Sequence, residues 1–305
     1  MYTFIINPNA RTGLGLKVWN SLESTLKEKN VSYRAFLTKY RSHATGITKK
    51  VLHENNRCTL IVLGGDGTVN EVINGISDFS AVTLAYIPIG SSNDFARGMN
   101  LSADPHTALE HILSPSRFAN LSVGTTSYGS RKRFFAVSSG FGFDAEVCCR
   151  IGTSCLKAFL NRLSLGRFSY VSIAVSSLLL QTPKRMVLTL DGKKTVTFKK
   201  VYFAAAMNQK FEGGGFMFCP NASPTDDFLD IIVAEGLPKL KILCLLPTAF
   251  WGKHTKFSGI HIYRCRSVMM ESEIPLPLHT DGEPISKEQK INISQSTQKI
   301  RFIIS

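Results

Sequence analysis

Short apolar runs, broken by polar loops and followed by segments with one apolar face, set the pattern of the first part of the chain. Tyr2–Ile6 is such a run, ended by the polar loop Asn7-Pro8-Asn9-Ala10-Arg11-Thr12-Gly13. Leu16–Lys29 has helical periodicity, Ser32–Leu37 reads as a second strand ending at Thr38, and Ser42 can cap a helix running to about Asn55. Thr59–Leu63 is again a buried strand pattern. After it Val69, Val72, Ile73 and Ile76 recur at the spacing of one helix face, with Thr68 and Glu71 in the capping-box pattern. Val82–Ile87 is the next strand, followed by a second polar loop, Pro88–Arg97. Strands alternating with helices predict a parallel, doubly wound sheet. In such a sheet the loops after Ile6, Leu63 and Ile87 leave one edge and can converge on one ligand.

The pattern changes after about Arg117. Phe134–Ser139, Met186–Leu190, Thr195–Ala206, Asp230–Ala234 and His261–Glu271 read as strands, and Asp191-Gly192 is a hairpin signal. Only about Leu156–Leu180 and Leu240–His254 look helical. The fold class expected is therefore α/β with two domains: a doubly wound, Rossmann-like domain over residues 1–125 and a mainly antiparallel β domain over residues 126–294. The last strand, Lys299–Ile304 within about 295–305, can return to the first domain. The active site is expected in the cleft between them.

The chemistry concentrates in Gly64-Gly65-Asp66-Gly67-Thr68. Three glycines remove side chains around one carboxylate at a strand's carboxyl end, just before a helix. Helix amides without an internal partner, beside bare backbone, form a phosphate cradle. A plain turn needs one glycine or two, so the phosphate reading is favoured over a turn alone. The loop is not a Walker loop, because no Gly-Lys-Ser/Thr follows, and Asn70 breaks the dinucleotide G-x-G-x-x-G spacing.

Composition narrows the partners. The net charge of +14 favours an anionic one. No arginine-rich block or zinc-finger spacing points to nucleic acid. The seven cysteines show no C-x-x-C pair, and with no signal peptide a reducing cytosol is expected. The vicinal pair Cys148–Cys149 reads as packing. The apolar run around Ile173–Leu180 is too short to span a bilayer. A soluble, cytoplasmic protein is expected from these features; the charge alone leaves a nucleotide, nucleic acid and an anionic membrane surface open as partners, the last by peripheral association.

The motifs together resemble the soluble bacterial diacylglycerol kinases, relatives of sphingosine and ceramide kinases. The resemblance rests on Asn7-Pro8, on GGDGTVNEVINGI at Gly64–Ile76 and on PIGSSNDFAR at Pro88–Arg97. It continues in GFGFDAEV at Gly140–Val147, in Gly213–Gly215 after Asn208, in PNASPTDDFLD at Pro220–Asp230 and in Asp281-Gly282-Glu283. GGDGT alone is shared with NAD kinases and phosphofructokinases; the N-D-F-A-R loop and the late D-G-E are what point to lipid kinases.

The resemblance implies transfer of the γ-phosphoryl group of ATP to a primary hydroxyl of a lipid, diacylglycerol or a similar acylglycerol, with ATP and Mg²⁺ as cofactors. It places the nucleotide on Asn7, Pro8, Asn9, Ala10, Arg11, Thr38, Gly64, Gly65, Asp66, Gly67, Thr68, Val69, Asn70 and Ser91. It makes Asp66 and Asp94 organisers of metal and phosphate, Arg97 a holder of phosphate charge or of Asp94, and Glu283 the general base for the lipid hydroxyl. It puts a structural Mg²⁺ on Ser223, Asp226 and Phe228. Two residues depart from the pattern: Asp227 stands where the family has glycine, and Ser122 where it commonly has aspartate. The second departure keeps open a weakened, nucleotide-binding regulatory homologue; an NAD kinase-like enzyme is the other alternative. Leu156–Leu180, with Lys157, Arg162 and Arg167, reads first as core plus solvated face and second as a membrane contact. A homodimer is compatible with the sequence.

Overall fold

The computed structural model describes residues 1–55, 57–153, 176–178 and 180–305. They divide into two compact units, Met1–Val123 with Thr297–Ser305, and Gly124–Ser296.

In the first unit β1 (Tyr2–Ile6), β2 (Tyr33–Leu37), β3 (Cys58–Gly64) and β4 (Val82–Pro88) lie parallel. β5 (Phe118–Leu121) and β17 (Ile300–Ile303) complete a six-stranded sheet in the order β2-β1-β3-β4-β17-β5. The carboxyl-terminal strand is parallel to β4, and β5 closes the edge antiparallel to it. From β1 the chain passes to β2 on one side and then crosses to β3 on the other. The topological switch point therefore lies between β1 and β3.

The connecting helices are α1 (Leu14–Glu28), α2 (His43–Glu54), α3 (Asp66–Ile73), α4 (Asp94–Gly98) and α5 (Pro105–Leu113). Trp19, Leu22 and Leu26 of α1 and Leu109 and Ile112 of α5 share one core with Phe4, Ile6, Ile61 and Leu63. The alternate strand positions Ile5, Leu60 and Val62 are equally buried, so both faces of the sheet are covered.

Thr68 and Glu71 do not form a capping box on α3. The helix begins at Asp66, so Thr68 is already inside its first turn. The Glu71 carboxylate instead accepts the backbone N–H groups of Ser42 (2.7 Å) and Ala44 (3.1 Å) at the start of α2. Ser42 has φ +66° and makes no side-chain cap of its own. A cap reached across 29 residues replaces the local one.

The second unit contains β6 (Gly124–Tyr128), β7 (Arg131–Phe135), β8 (Ser138–Gly142), α6 (Phe143–Thr153), β9 (Lys184–Leu190) and β10 (Lys194–Met207). The short strands β11 (Phe211–Glu212) and β12 (Phe216–Met217) follow, then β13 (Leu229–Glu235), α7 (Lys239–Leu245), β14 (Ile260–Cys265), β15 (Ser267–Thr280) and β16 (Glu283–Gln295). Nine of these strands form an antiparallel sheet in the order β14-β13-β10-β8-β15-β16-β6-β7, with β9 pairing β10 and β15. Phe135, Phe141, Leu188, Phe198, Ile231 and Leu278 are in its core.

Three expected elements are divided differently. Phe134–Ser139 is the end of β7, a turn and the start of β8. The turn arises because Asp281 accepts the N–H groups of Ala136, Val137 and Ser138 at 2.7–3.0 Å. His261–Glu271 is two strands, parted where Asp191 Oδ1 accepts the N–H groups of Arg266 and Ser267, both at 2.9 Å. Leu240–His254 is α7 followed by 3₁₀ turns at Leu246–Trp251 and Lys253–Lys256. Pro247 lacks the N–H that would continue the α-helix, and Gly252 turns the chain at φ +66°. Most of the expected helix Leu156–Leu180, with Lys157, Arg162 and Arg167, lies outside the described residues. Among the described residues no helix is long and apolar enough to cross a membrane.

Candidate functional site

At the switch point the strand ends are in register. Ile6 pairs with Leu63, and Leu63 with Ile87. The backbone then ties the following loops together: Asn7 N–H donates to Leu63 O, Ile89 N–H to Gly64 O and Thr38 N–H to Ile6 O, each at 2.8 Å. All four segments assigned to the nucleotide thus meet at one sheet edge.

The glycines act by permitting contact. Neither Gly64, Gly65 nor Gly67 has positive φ. A Cβ on Gly90 would stand 2.6 Å from the Gly65 Cα, and one on Gly64 would stand 2.6 Å from the Thr68 Oγ1. The second and third loops therefore pack backbone against backbone. Asn7 Nδ2 donates to Thr68 Oγ1 at 3.3 Å, which joins the first loop to α3.

Asp66 is the link between the two acidic loops. Its Oδ2 accepts Asp94 N–H at 2.8 Å and its Oδ1 accepts Phe95 N–H at 3.3 Å, so it caps α4. A carboxylate at a helix start also complements the helix dipole. Asp94, 4% exposed, receives Arg97 Nη1 at 2.7 Å. Beneath them the Tyr86 hydroxyl lies 3.2 Å from both Gly64 O and Asn93 Oδ1. Burial, reinforced by the charges of Asp66 and Asp94, holds its pKa well above the ordinary tyrosine value. Tyr86 is thus a neutral hydroxyl that donates under the loops.

The remaining nucleotide residues are placed unevenly. Ser91 is exposed in the third loop, whereas Val69 and Asn70 are buried in α3. Pro8 O and Ala10 O accept the amides of Leu16 and Gly15, fixing the first loop on α1. Arg11 and Thr12 both hold positive φ, 45° and 60°. Ser122 is buried at 1% exposure, where an aspartate would carry a desolvation cost.

The second unit holds a polar cluster that the sequence reading did not single out. His279 is fully buried, with Nε2 3.2 Å from Asp144 Oδ2 and 3.4 Å from Glu212 Oε1. Gly140 makes room: a Cβ there would stand 1.8 Å from Asp144 Oδ2 and 2.1 Å from His279 Nε2. Ser138 Oγ donates to Glu212 Oε1 at 2.6 Å. The signal was in the motifs themselves, since Asp144 lies in G-F-G-F-D-A-E-V, Glu212 precedes the glycine run and His279 precedes D-G-E. Burial opposes charge on His279, but the Glu212 charge, the Asp144 hydrogen bond and the charges of Asp144 and Asp281 outweigh it and push the imidazole up to about 9.

The three ligand atoms lie within 4.8 Å of one another, close enough to hold a metal ion. With Nε2 protonated and shared by both carboxylates, however, the cluster satisfies itself. Gly282 N–H lies 3.2 Å from Nδ1 and favours the neutral ring, against the carboxylates that favour its charge.

The His279 shift sets a stability prediction. The folded value is raised, so the contribution is complete below the ordinary 6.5 and is lost as pH rises through about 9. Denaturant unfolding should lose on the order of 3 kcal/mol across that window. His279→Gln should remove this slope. The difference between the two proteins isolates it from buried thiols such as Cys265, which also favour unfolding at high pH. Equal slopes in both would show that His279 is neutral throughout.

Glu283 begins β16, opposite Thr280 across the Asp281-Gly282 turn. The Cys148 thiol is pushed well above its ordinary value by burial and by the charges of Glu212, Asp144, Cys149 and Glu283. Glu283 therefore belongs to the same neighbourhood as Asp144 and Glu212.

Ser223, Asp226 and Phe228 share one turn, but their oxygens are engaged. Asp226 Oδ2 receives Arg264 Nη2 at 2.7 Å, and Oδ1 receives Phe228 N–H at 2.9 Å. Phe228 O accepts Gln295 Nε2 at 2.9 Å, and the Ser223 hydroxyl pairs with Thr225. Arg264 supplies the positive charge that an ion would bring. Each of these carboxylate and carbonyl oxygens can accept a further bond, and a Mg²⁺ held there would compete with Arg264 for Asp226.

A diacylglycerol kinase from Bacillus anthracis superposes with a TM-score of 0.72 at 20% identity, over 100% of this chain and 96% of that one. An NAD kinase from Archaeoglobus fulgidus in complex with ATP gives 0.56 at 12% identity, over 99% and 93%. Residues 1–124 match the diacylglycerol kinase catalytic domain, and residues 138–294 the YegS C-terminal NAD kinase beta sandwich-like domain. YtlR of Bacillus subtilis, classed with the lipid kinases, is 33% identical over 285 residues, 92% of each chain. A diacylglycerol kinase of Mycobacterium tuberculosis is 25% identical over 282 residues, 92% of this chain and 88% of that one. The chain belongs to the diacylglycerol kinase and YegS family of lipid kinases and is by class a phosphotransferase.

Proposed function

We propose that the protein transfers the γ-phosphoryl group of ATP to the primary hydroxyl of a membrane lipid, diacylglycerol or a similar acylglycerol. The observation that carries this reading is Asp66. It joins the glycine loop and the N-D-F-A-R loop through both of its oxygens, so the two motifs of the family form one piece at the switch point. Phosphoryl transfer asks mainly for positioning and charge neutralisation.

In this reading the first turn of α3 and the glycine backbone cradle phosphate oxygens, and Asn7 and Thr68 fix the loop that faces them. Arg97, held by Asp94, adds positive charge. Mg²⁺ enters with ATP as part of the substrate and neutralises the phosphates. Each carboxylate oxygen of Asp66 can accept more than one bond, so capping α4 does not exhaust it. Glu283 in the second unit takes the proton of the lipid hydroxyl. The protein works at the membrane periphery, in the cytoplasm.

The test is transfer from labelled ATP, with Mg²⁺, to a panel of diacylglycerol, monoacylglycerol, sphingoid base and long-chain polyprenol, with NAD beside them. Label in an acylglycerol is expected. Label in NAD alone would make this an NAD kinase-like enzyme. ATP binding without transfer to any acceptor would favour the regulatory homologue that Ser122 suggests.

A further inference from the structure

We propose that the segment 238–257 of the second unit is a docking surface for an anionic lipid bilayer. Its exposed apolar side chains are Leu240 (73% exposed), Phe250 (41%), Trp251 (69%) and Phe257 (42%). Lys241, Lys253 and Lys256 are interspersed with them. No Asp or Glu occurs between Glu235 and Glu271, a stretch that carries six Lys and Arg. Indole rings and lysine stems with charged tips are the side chains that settle at headgroup depth. Peripheral binding of this kind combines buried apolar area with attraction to anionic headgroups.

The segment is held from beneath with these side chains turned outward. Phe250 stacks on Phe216 with ring centroids 4.2 Å apart. His254 Nε2 lies 3.1 Å from Phe218 O. Gly252 is packed so tightly that a Cβ would stand 2.5 Å from Pro220 Cγ. The patch is thus preorganised, and binding need not order it.

Charge selects the occupant. A second copy of the chain would oppose this cationic patch with its own within a molecule of net charge +14, whereas an anionic surface complements it. Ring contacts also continue inward, from Phe216 to Phe218 (5.8 Å), Phe203 (6.0 Å) and Phe143 (6.4 Å), the residue before Asp144. A line of packed aromatic rings therefore leads from the patch toward the carboxylate cluster, apolar ground for the chains of a lipid taken from the bilayer. This last step rests on the lipid-kinase reading; the docking does not.

Trp251 is its own probe. The other tryptophan, Trp19, is buried at 4% exposure, and the full chain carrying Trp19→Phe reports Trp251 alone. Added phosphatidylglycerol vesicles should shift its emission to the blue, and brominated acyl chains should quench it. Phosphatidylcholine vesicles should do neither. Binding should weaken with salt, since screening shortens to about 3 Å at 1 M. A lysine near such a surface contributes about fivefold in affinity, so Lys253→Glu with Lys256→Glu should weaken sedimentation with vesicles by roughly 25-fold or more.

Equal binding to neutral vesicles, wild-type binding by the double variant, or a Trp251 emission already blue in dilute protein alone would each overturn the proposal. The last would show the patch covered by a second copy. Vesicle binding without phosphoryl transfer would sink the kinase reading and keep the docking. Transfer to micelle-dispersed lipid without vesicle binding would do the reverse.

Discussion

Asp66→Ala should abolish lipid phosphorylation and also lower the stability of the first unit. Sequence alone assigns Asp66 a place in charge positioning, with no cost to the fold. The structure adds a second task, because both of its oxygens hold amides at the start of α4. Removing a cap of this kind costs about 0.5–2 kcal/mol. It also releases Asp94 and Arg97 from fixed positions. Turnover should therefore fall by at least about 100-fold, on the scale of losing one preorganised charge contact. The melting temperature should fall in parallel. Asp66→Asn should separate the two effects. Its amide oxygen can still accept one of the two N–H groups, so more stability should return than activity. Labelled-ATP transfer and thermal unfolding on the three proteins measure both. Wild-type turnover in Asp66→Ala would remove the glycine loop from the reaction.

The parallel half of the molecule was legible because its signals are local and strong. A run such as Thr59–Leu63, short and rich in β-branched residues, reads as a buried strand, and glycines beside an acid at its end mark a loop where backbone must come close. What those glycines approach was not legible. Gly65 meets Gly90, a partner outside any local pattern. The same limit explains the misread cap, since Glu71 serves α2 while its spacing to Thr68 suggests α3. In the β unit the two divided strands share one cause. Asp281 and Asp191 each hold backbone amides of distant segments, and each break in a predicted strand falls where such a carboxylate intervenes. β16 went unseen because its first half, Glu283–Gln289, is mostly polar; it is a strand through pairing with β15 and β6. His279, Asp144 and Glu212 stand far apart in the chain, and only strand register collects them. The pairing of Asp226 with Arg264 was out of reach for the same reason, as β14 brings the guanidinium from 38 residues away.

Glu283→Gln should leave folding and ATP affinity near wild type while kcat falls about 10²–10⁴-fold, the usual worth of general base assistance. The turn around it separates two kinds of acid. Asp281 and Gly282, at φ +50° and +77°, form the hairpin turn that an Asp-Gly pair favours. The Asp281 carboxylate is committed to the amides of Ala136, Val137 and Ser138. Its work is to hold the turn. Glu283 follows it on the strand, half-buried, and its charge acts on the same thiol, Cys148, as those of Asp144 and Glu212. A primary alcohol is a poor nucleophile while it keeps its proton, and a carboxylate held in reach can accept that proton as the bond to phosphorus forms. Gln keeps the size and one acceptor of Glu and removes the basicity, so it tests the proton and little else. Asp281→Ala is the control for the turn. It strands three amides that now bond to a charge, each such bond being worth about 1.5–3 kcal/mol, so its activity should be lost together with stability. If Glu283→Gln turns over within a few-fold of wild type, the proton leaves by another route, and Asp281-Gly282-Glu283 is a turn and nothing more.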